Sequence, residues 1–182
     1  MTRLALRLVI YLLRNKEVAY NIANSIKKLV DETIYCKNCN NISKSNLCEI
    51  CTNLDRDKST ICVVEDIRDI IAIENTLQYK GQYHVIGGLI SPIDGIGPAD
   101  LNISNLIERI NKGNIKELIF ALCASMEGET TSYYIYKKIK NLDIEITTIS
   151  KGVSIGGELE YTDQITLGRA LVNRYSFENS LQ

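Results

Sequence analysis

The chain has 182 residues, 45% hydrophobic and 24% charged, with a formal net charge of -1. That composition is ordinary for a globular protein, and the length suffices for one good core or one medium domain with a small attachment. The net charge exerts no overall pull toward nucleic acid, and no apolar run approaches the ~20 residues a membrane span needs. The charge is unevenly spread: residues 1–60 carry ten Lys/Arg against six Asp/Glu, the remainder eleven against sixteen. A weakly basic front and an acidic rear permit an electrostatic footprint at one end.

In chain order, residues 2–14 (TRLALRLVIYLLR) place Leu4, Leu8, Tyr11 and Leu12 on one helical face, with Arg3, Arg7 and Arg14 as a polar stripe. Residues 17–33 read as a second amphipathic helix, with Ile22, Ile26, Leu29 and Val30 in phase. After the polar link NLDRDKS, residues 60–65 (TICVVE) have the β-branched, continuously apolar character of a strand buried on both faces. DIRDIIAIENTLQY follows as a helix with Ile70, Ile71, Ile73 and Leu77 inward. YHVIGGLI is a second strand, and SPIDGIGPAD is a turn-rich loop. A helix capped by Ser104 and closed near Gly113, the strand KELIFAL, a helix from Glu129 to Asn141, the strand IEITTI and a last helix from Gln164 to Arg174 complete the pattern. Strands alternating with helices predict a parallel sheet covered on both sides.

Between the front helices and the first strand lies CKNCNNISKSNLCEIC, with Cys36, Cys39, Cys48 and Cys51. Four thiols so close together are two disulfides, a redox pair or a metal cage. The start, Met1 to Leu13, is interrupted by Arg3 and Arg7 and lacks a small-residue cleavage site, so no signal peptide is expected. The expected compartment is the cytoplasm, where thiols stay reduced. Two Cys-x-x-Cys knuckles joined by a short polar linker suit tetrahedral Zn²⁺. Four thiolates leave no open coordination position, so the expectation is one structural zinc per chain. Cys62 and Cys123 sit in apolar stretches and are expected to be buried small hydrophobes.

These knuckles, followed by STICVVE, GLISPIDGIGP, MEGETTSYYI and GGELEYTDQITLGRAL in that order, closely resemble the bacterial RecR family over nearly the whole chain. The resemblance implies an α/β fold: a Toprim-like parallel sheet flanked by helices, with a small N-terminal helical unit and a four-cysteine zinc finger. The implied division is 1–35 for N-terminal helices (a remnant of a helix-hairpin-helix element), 36–51 for the finger, 59–153 for the Toprim domain, and 154–182 for a Walker-B-like segment and helix. It implies a non-enzymatic DNA repair and recombination mediator that forms a ring-like tetramer around DNA. Such a protein works with RecO and RecF to load the RecA recombinase onto single-stranded DNA. One departure concerns the front: the family's glycine hairpin, in a pattern like LPGIGPKTA, has no counterpart before Thr2. Either the start lies upstream, the preferred explanation because the basic stripe survives, or this member has lost part of its DNA-binding element; the family's DNA-contacting positions fall on Arg3 and Arg7.

Toprim domains in topoisomerases and primases hold Mg²⁺ with a glutamate and an Asp-x-Asp pair. Here Glu65 ends the first strand, and Glu127 and Glu129 resemble the EGE that follows the Asp-x-Asp. The Asp-x-Asp positions themselves fall on Cys123 and Ser125, poor Mg²⁺ ligands. The competing reading, a Mg²⁺-dependent Toprim nuclease, would use Glu65, Glu127 and Glu129. The bland reading places Glu127 and Glu129 at a helix start, where their charge suits the helix dipole. His84, the one histidine, lies within a strand and is expected to be structural. No P-loop is present. Gly156, Gly157, Glu158 and Asp163 read as subunit-packing residues.

Overall fold

In the computed structural model, residues 3–153, 156, 158–174 and 176 are described. The apolar run TICVV forms the inner part of β3 (Asp57–Val64), which pairs in parallel with β4 (Gly81–Val85) on one side and β5 (Glu117–Ala121) on the other. Strand β6 (Glu145–Thr148) adds to β5, again in parallel, giving the order β4-β3-β5-β6. Because successive side chains of a strand point to opposite faces, β3 feeds two cores. Ile61 and Val63 join Leu118, Phe120 and the buried faces of α5 (Ile103–Lys112) and α6 (Met126–Ile139). Cys62 and Val64 join Tyr83, Val85 and Ile70 of α4 (Ile67–Glu74) on the other face. The sheet is thus parallel and covered on both sides, the α/β arrangement that the strand–helix alternation implies.

Four local expectations are corrected, the last at the start of α6. Helix α4 is two turns long, anchored by a capping box of Asp66 and Asp69, and it ends at Asn75. Leu77 therefore falls beyond the helix, at a left-handed φ of 58°, and is 83% exposed, while Ile71 on the outer side is 57% exposed. Only Ile70 of the expected inward set is fully buried, with Ile73 packed beside it. Helix α5 starts at Ile103, so Ser104 lies inside it. Asn102 holds the cap position without a side-chain cap, its amide instead donating to the Val85 carbonyl at 3.3 Å. Cys62 is buried as expected, but Cys123 is exposed, because β5 ends at Ala121 and the chain turns outward before α6.

Helix α6 begins earlier than the expected Glu129. Ser125 caps it, its hydroxyl accepting from the Gly128 N–H at 3.1 Å. Gly128 is the residue this first turn requires: a Cβ there would stand 1.9 Å from the Cys123 carbonyl oxygen. The GLISPIDGIGP loop leaves edge strand β4 and turns at Gly95 (φ 73°), closed by the Ser91–Ile96 bridge.

At the front, α1 (Arg3–Arg14) and α2 (Lys16–Glu32) pack on each other and neither contains a buried residue. The apolar positions that the periodicity brings onto one face, Leu4, Leu8 and Tyr11 on α1 and Ile22, Ile26, Leu29 and Val30 on α2, are exposed. After the sheet, α7 (Gln164–Val172) is capped by Asp163, which accepts from the Thr166 N–H at 2.9 Å. No helix among the described residues is long and apolar enough to cross a membrane.

Candidate metal centre and nucleic-acid interface

A two-residue antiparallel pair, β1 (Ile34–Tyr35) with β2 (Ile42–Ser43), and the single turn α3 (Glu49–Thr52) frame the cysteines. The first knuckle is closed by the Cys36 N–H on the Asn41 carbonyl (2.7 Å) and the Asn40 N–H on the Cys36 carbonyl (2.9 Å), with Asn40 at φ 60°. Asparagine tolerates that left-handed position better than most residues. The second knuckle runs into α3. Cys36, Cys39, Cys48 and Cys51 are all buried, and their sulfurs lie within 4.8 Å of one another. Cys39 and Cys48 sulfurs are 3.5 Å apart. Tetrahedral zinc with ~2.3 Å bonds to sulfur needs sulfurs about 3.8 Å apart, so the cage fits the ion.

Two further observations favour thiolate character. The Cys48 N–H donates to the Cys36 sulfur at 3.3 Å, and the Asn38 amide donates to the Cys51 sulfur at 3.4 Å. Crowding drives the thiols apart in acidity: hydrogen bonding to Cys48 and Cys51, with burial, holds the Cys39 thiol far up, while hydrogen bonds from Cys39 and Cys51 pull Cys48 down. A cation is what allows all four to be anionic together.

The finger is clasped to the edge of the sheet. The Val85 N–H of β4 donates to the Cys39 carbonyl at 2.8 Å. Arg109 of α5 donates to the Tyr83 carbonyl (2.7 Å), to Gln82 Oε1 and to the Asn38 carbonyl (3.5 Å). Burial lowers the Arg109 pKa, opposed by the charge of Cys51, Cys39 and Cys36, so this guanidinium balances the thiolate cluster. His84 is fully buried against the same knuckle, Nε2 at 2.9 Å from the Asn102 carbonyl and 3.5 Å from the Asn40 amide. Burial pushes its pKa down to about 4, and Nδ1 has no partner among the described residues. These clasping residues carry no mark in the sequence, since they come from distant positions; His84 showed only as a lone strand histidine.

The acidic positions lie around the C-terminal ends of β3 and β5. Glu65 follows Val64 and is half-buried, its carboxyl raised by burial and by Asp69 and Asp66. Glu127 and Glu129 stand in the first turn of α6. Glu129 is exposed and paired with Lys151 at 3.1 Å and Arg169 at 3.0 Å, tying α6 to α7. Among the described residues the cysteines are the one set of three or more potential metal ligands that closes within 4.8 Å; the three glutamates do not. Ser125 is occupied as the cap of α6. Arg3, Arg7 and Arg14 are exposed along α1. Gly156 turns at φ 79°, and Gly157 lies outside the described residues.

A parallel α/β sheet with a four-cysteine finger closed onto its edge defines a zinc-finger Toprim protein. Family models match in the same order: a RecR four-cysteine zinc finger domain over 33–53, a Toprim domain over 59–150 and a RecR C-terminal segment over 152–175. The recombination protein RecR of Flavobacterium psychrophilum is 52% identical over 181 residues, 99% of this chain and 88% of that protein. Those of Bacteroides thetaiotaomicron (51% over 178 residues, 97% and 87%) and Porphyromonas gingivalis (48% over 179 residues, 98% and 86%) are similar to it as well. The chain belongs to the RecR family, and its cysteine quartet is a structural zinc site.

Proposed function

We propose that this chain is a DNA-binding recombination and repair mediator that works in the cytoplasm, does no chemistry of its own, and acts with RecO and RecF in RecA loading. Its relationship to recombination proteins across almost the whole chain carries the reading. Arg3 and Arg7 lie four residues apart on one exposed helix and suit phosphate contacts that position without reading bases. A ring-like tetramer would multiply such weak contacts into a useful grip. The bare apolar faces of α1 and α2 support self-association, since patches of that kind are seldom left to water. The division into residues 1–35, 36–51, 59–153 and 154–182 remains the working domain plan.

The salt-titrated affinity of the zinc-loaded chain for labelled DNA tests this. Arg3→Glu/Arg7→Glu is expected to weaken binding and flatten the salt dependence; an isotherm equal to wild type removes those arginines from the DNA site. The competing Mg²⁺ nuclease is addressed by incubating DNA with the protein and Mg²⁺. No cleavage is expected, consistent with Glu129 being engaged by Lys151 and Arg169. Cleavage abolished by Glu65→Gln would establish the enzyme instead.

A further inference from the structure

We propose that the outer face of α6 and the groove beside it form a second nucleic-acid contact, a stacking platform for unpaired bases of single-stranded DNA. This rests on the DNA-binding reading above and adds a site on a different element from Arg3 and Arg7. Tyr133 and Tyr136 are 58% and 42% exposed, their rings 6.4 Å apart between centroids and inclined by 22°. Lys137 lies over the Tyr133 ring, 4.8 Å from its centroid. The same tyrosines line a groove of about 380 Å³, with Ile146 and Thr147 of β6 and Phe120 of β5.

Charge selects the occupant. Residues 130–142 contain three lysines and no carboxylate. The one acid lining the groove, Glu129, is paired with Lys151 and Arg169. Asp143 and Glu145 follow this lysine segment, but at the groove itself the cations Lys137, Lys151 and Arg169 outnumber the one acid. Lysines at the end of α6 also suit the negative end of the helix dipole, but the dipole asks for no exposed tyrosine. Aromatic rings that accept any base face, flanked by cations for the phosphates, are what sequence-independent single-strand binding needs. A duplex keeps its base faces stacked, so the platform favours unpaired strands.

The test measures binding of labelled oligothymidylate and of a labelled duplex to the zinc-loaded full chain across a salt series. Tyr133→Ala/Tyr136→Ala is expected to lose about fivefold or more in oligothymidylate affinity, with duplex affinity kept. Tyr133→Phe/Tyr136→Phe, which keeps the rings, should retain wild-type binding. Lys137→Gln should reduce the single-strand salt slope by about 0.7, and the alanine pair should leave it unchanged. Wild-type oligothymidylate affinity in the alanine pair overturns the platform while leaving the Arg3/Arg7 contact standing. So does an equal loss in the phenylalanine pair, or a change of oligomeric state without a change in affinity, which would make the groove an interface between copies. If the wild type binds neither probe, the DNA-binding reading itself falls, and the platform with it.

Discussion

Stripping the zinc from the finger, or replacing Cys48 with Ser, tests how far the metal supports the rest of the molecule. The finger's interior is little more than its four cysteines and Ile50, so it has no apolar core to hold it without the ion. Zinc supplies on the order of 10 kcal/mol to units of this kind. The Toprim body should feel the loss through what the finger contributes to it. That is the Val85–Cys39 hydrogen bond, the Arg109–Asn38 and Asn40–His84 contacts, and Ile50 packed against the Cys62 cluster. At about 1 kcal/mol for each polar contact and about 1 kcal/mol for the part-buried isoleucine, the body loses about 4 kcal/mol. For a body the size of residues 59–153 that lowers Tm by about 16–32 °C. Native mass spectrometry of the reduced chain should show one zinc; thermal denaturation and amide exchange at Val85, before and after chelation, then read the consequence. Cys62→Ser and Cys123→Ser serve as controls that keep the metal. An apo chain with unchanged Tm and unchanged protection at Val85 would show that the finger is not a support for the sheet, and a metal-free native chain would remove the zinc altogether.

Gly128→Ala forces a Cβ into the backbone of Cys123 and should cost about 3 kcal/mol or more by displacing the first turn of α6, visible as a lowered denaturation midpoint; an unchanged midpoint would mean that this turn has slack. His84 stays neutral when folded but has an ordinary pKa of about 6.5 when unfolded. The unfolded chain therefore binds the extra proton, and stability should fall as pH drops from about 6.5 to about 4, by about 3 kcal/mol at the acid end. Denaturant titrations of wild type and His84→Leu should diverge over that window, and parallel curves would refute it. Half-buried Glu74 receives half-buried Arg56 at both oxygens and the hydroxyl of buried Tyr83 at 2.6 Å. Glu74→Ala should cost about 2–3 kcal/mol by stranding the arginine, and a double-mutant cycle with Arg56→Met checks whether the loss belongs to the pair.

The central strands were legible because β3 is buried on both faces and so needs β-branched residues without alternation. The cysteine spacing likewise announces a metal. Helix ends were not legible. Ile71 and Leu77 continue the 3.6-residue period of α4, yet the chain must turn back toward β4 after Asn75, and periodicity does not register that turn. The start of α6 was obscured by Gly128, a poor helix former retained for a backbone contact with Cys123 that is a tertiary fact. The apolar stripes of α1 and α2 were legible, but in the single chain they stay exposed, which is a matter of partners rather than of pattern. The clasp around the finger depends on Arg109 and His84, residues that acquire meaning only when distant segments meet.

The finger's hold on Val85 has a bearing on misassembly. An open sheet normally offers two rows of unsatisfied backbone groups to a passing strand. Here the metal loop obstructs one row, so recruitment of a foreign strand is directed to the four-residue rim of β6, too short to template much. Zinc starvation would then do more than soften a small lobe: it would uncover a second backbone rim, that of β4.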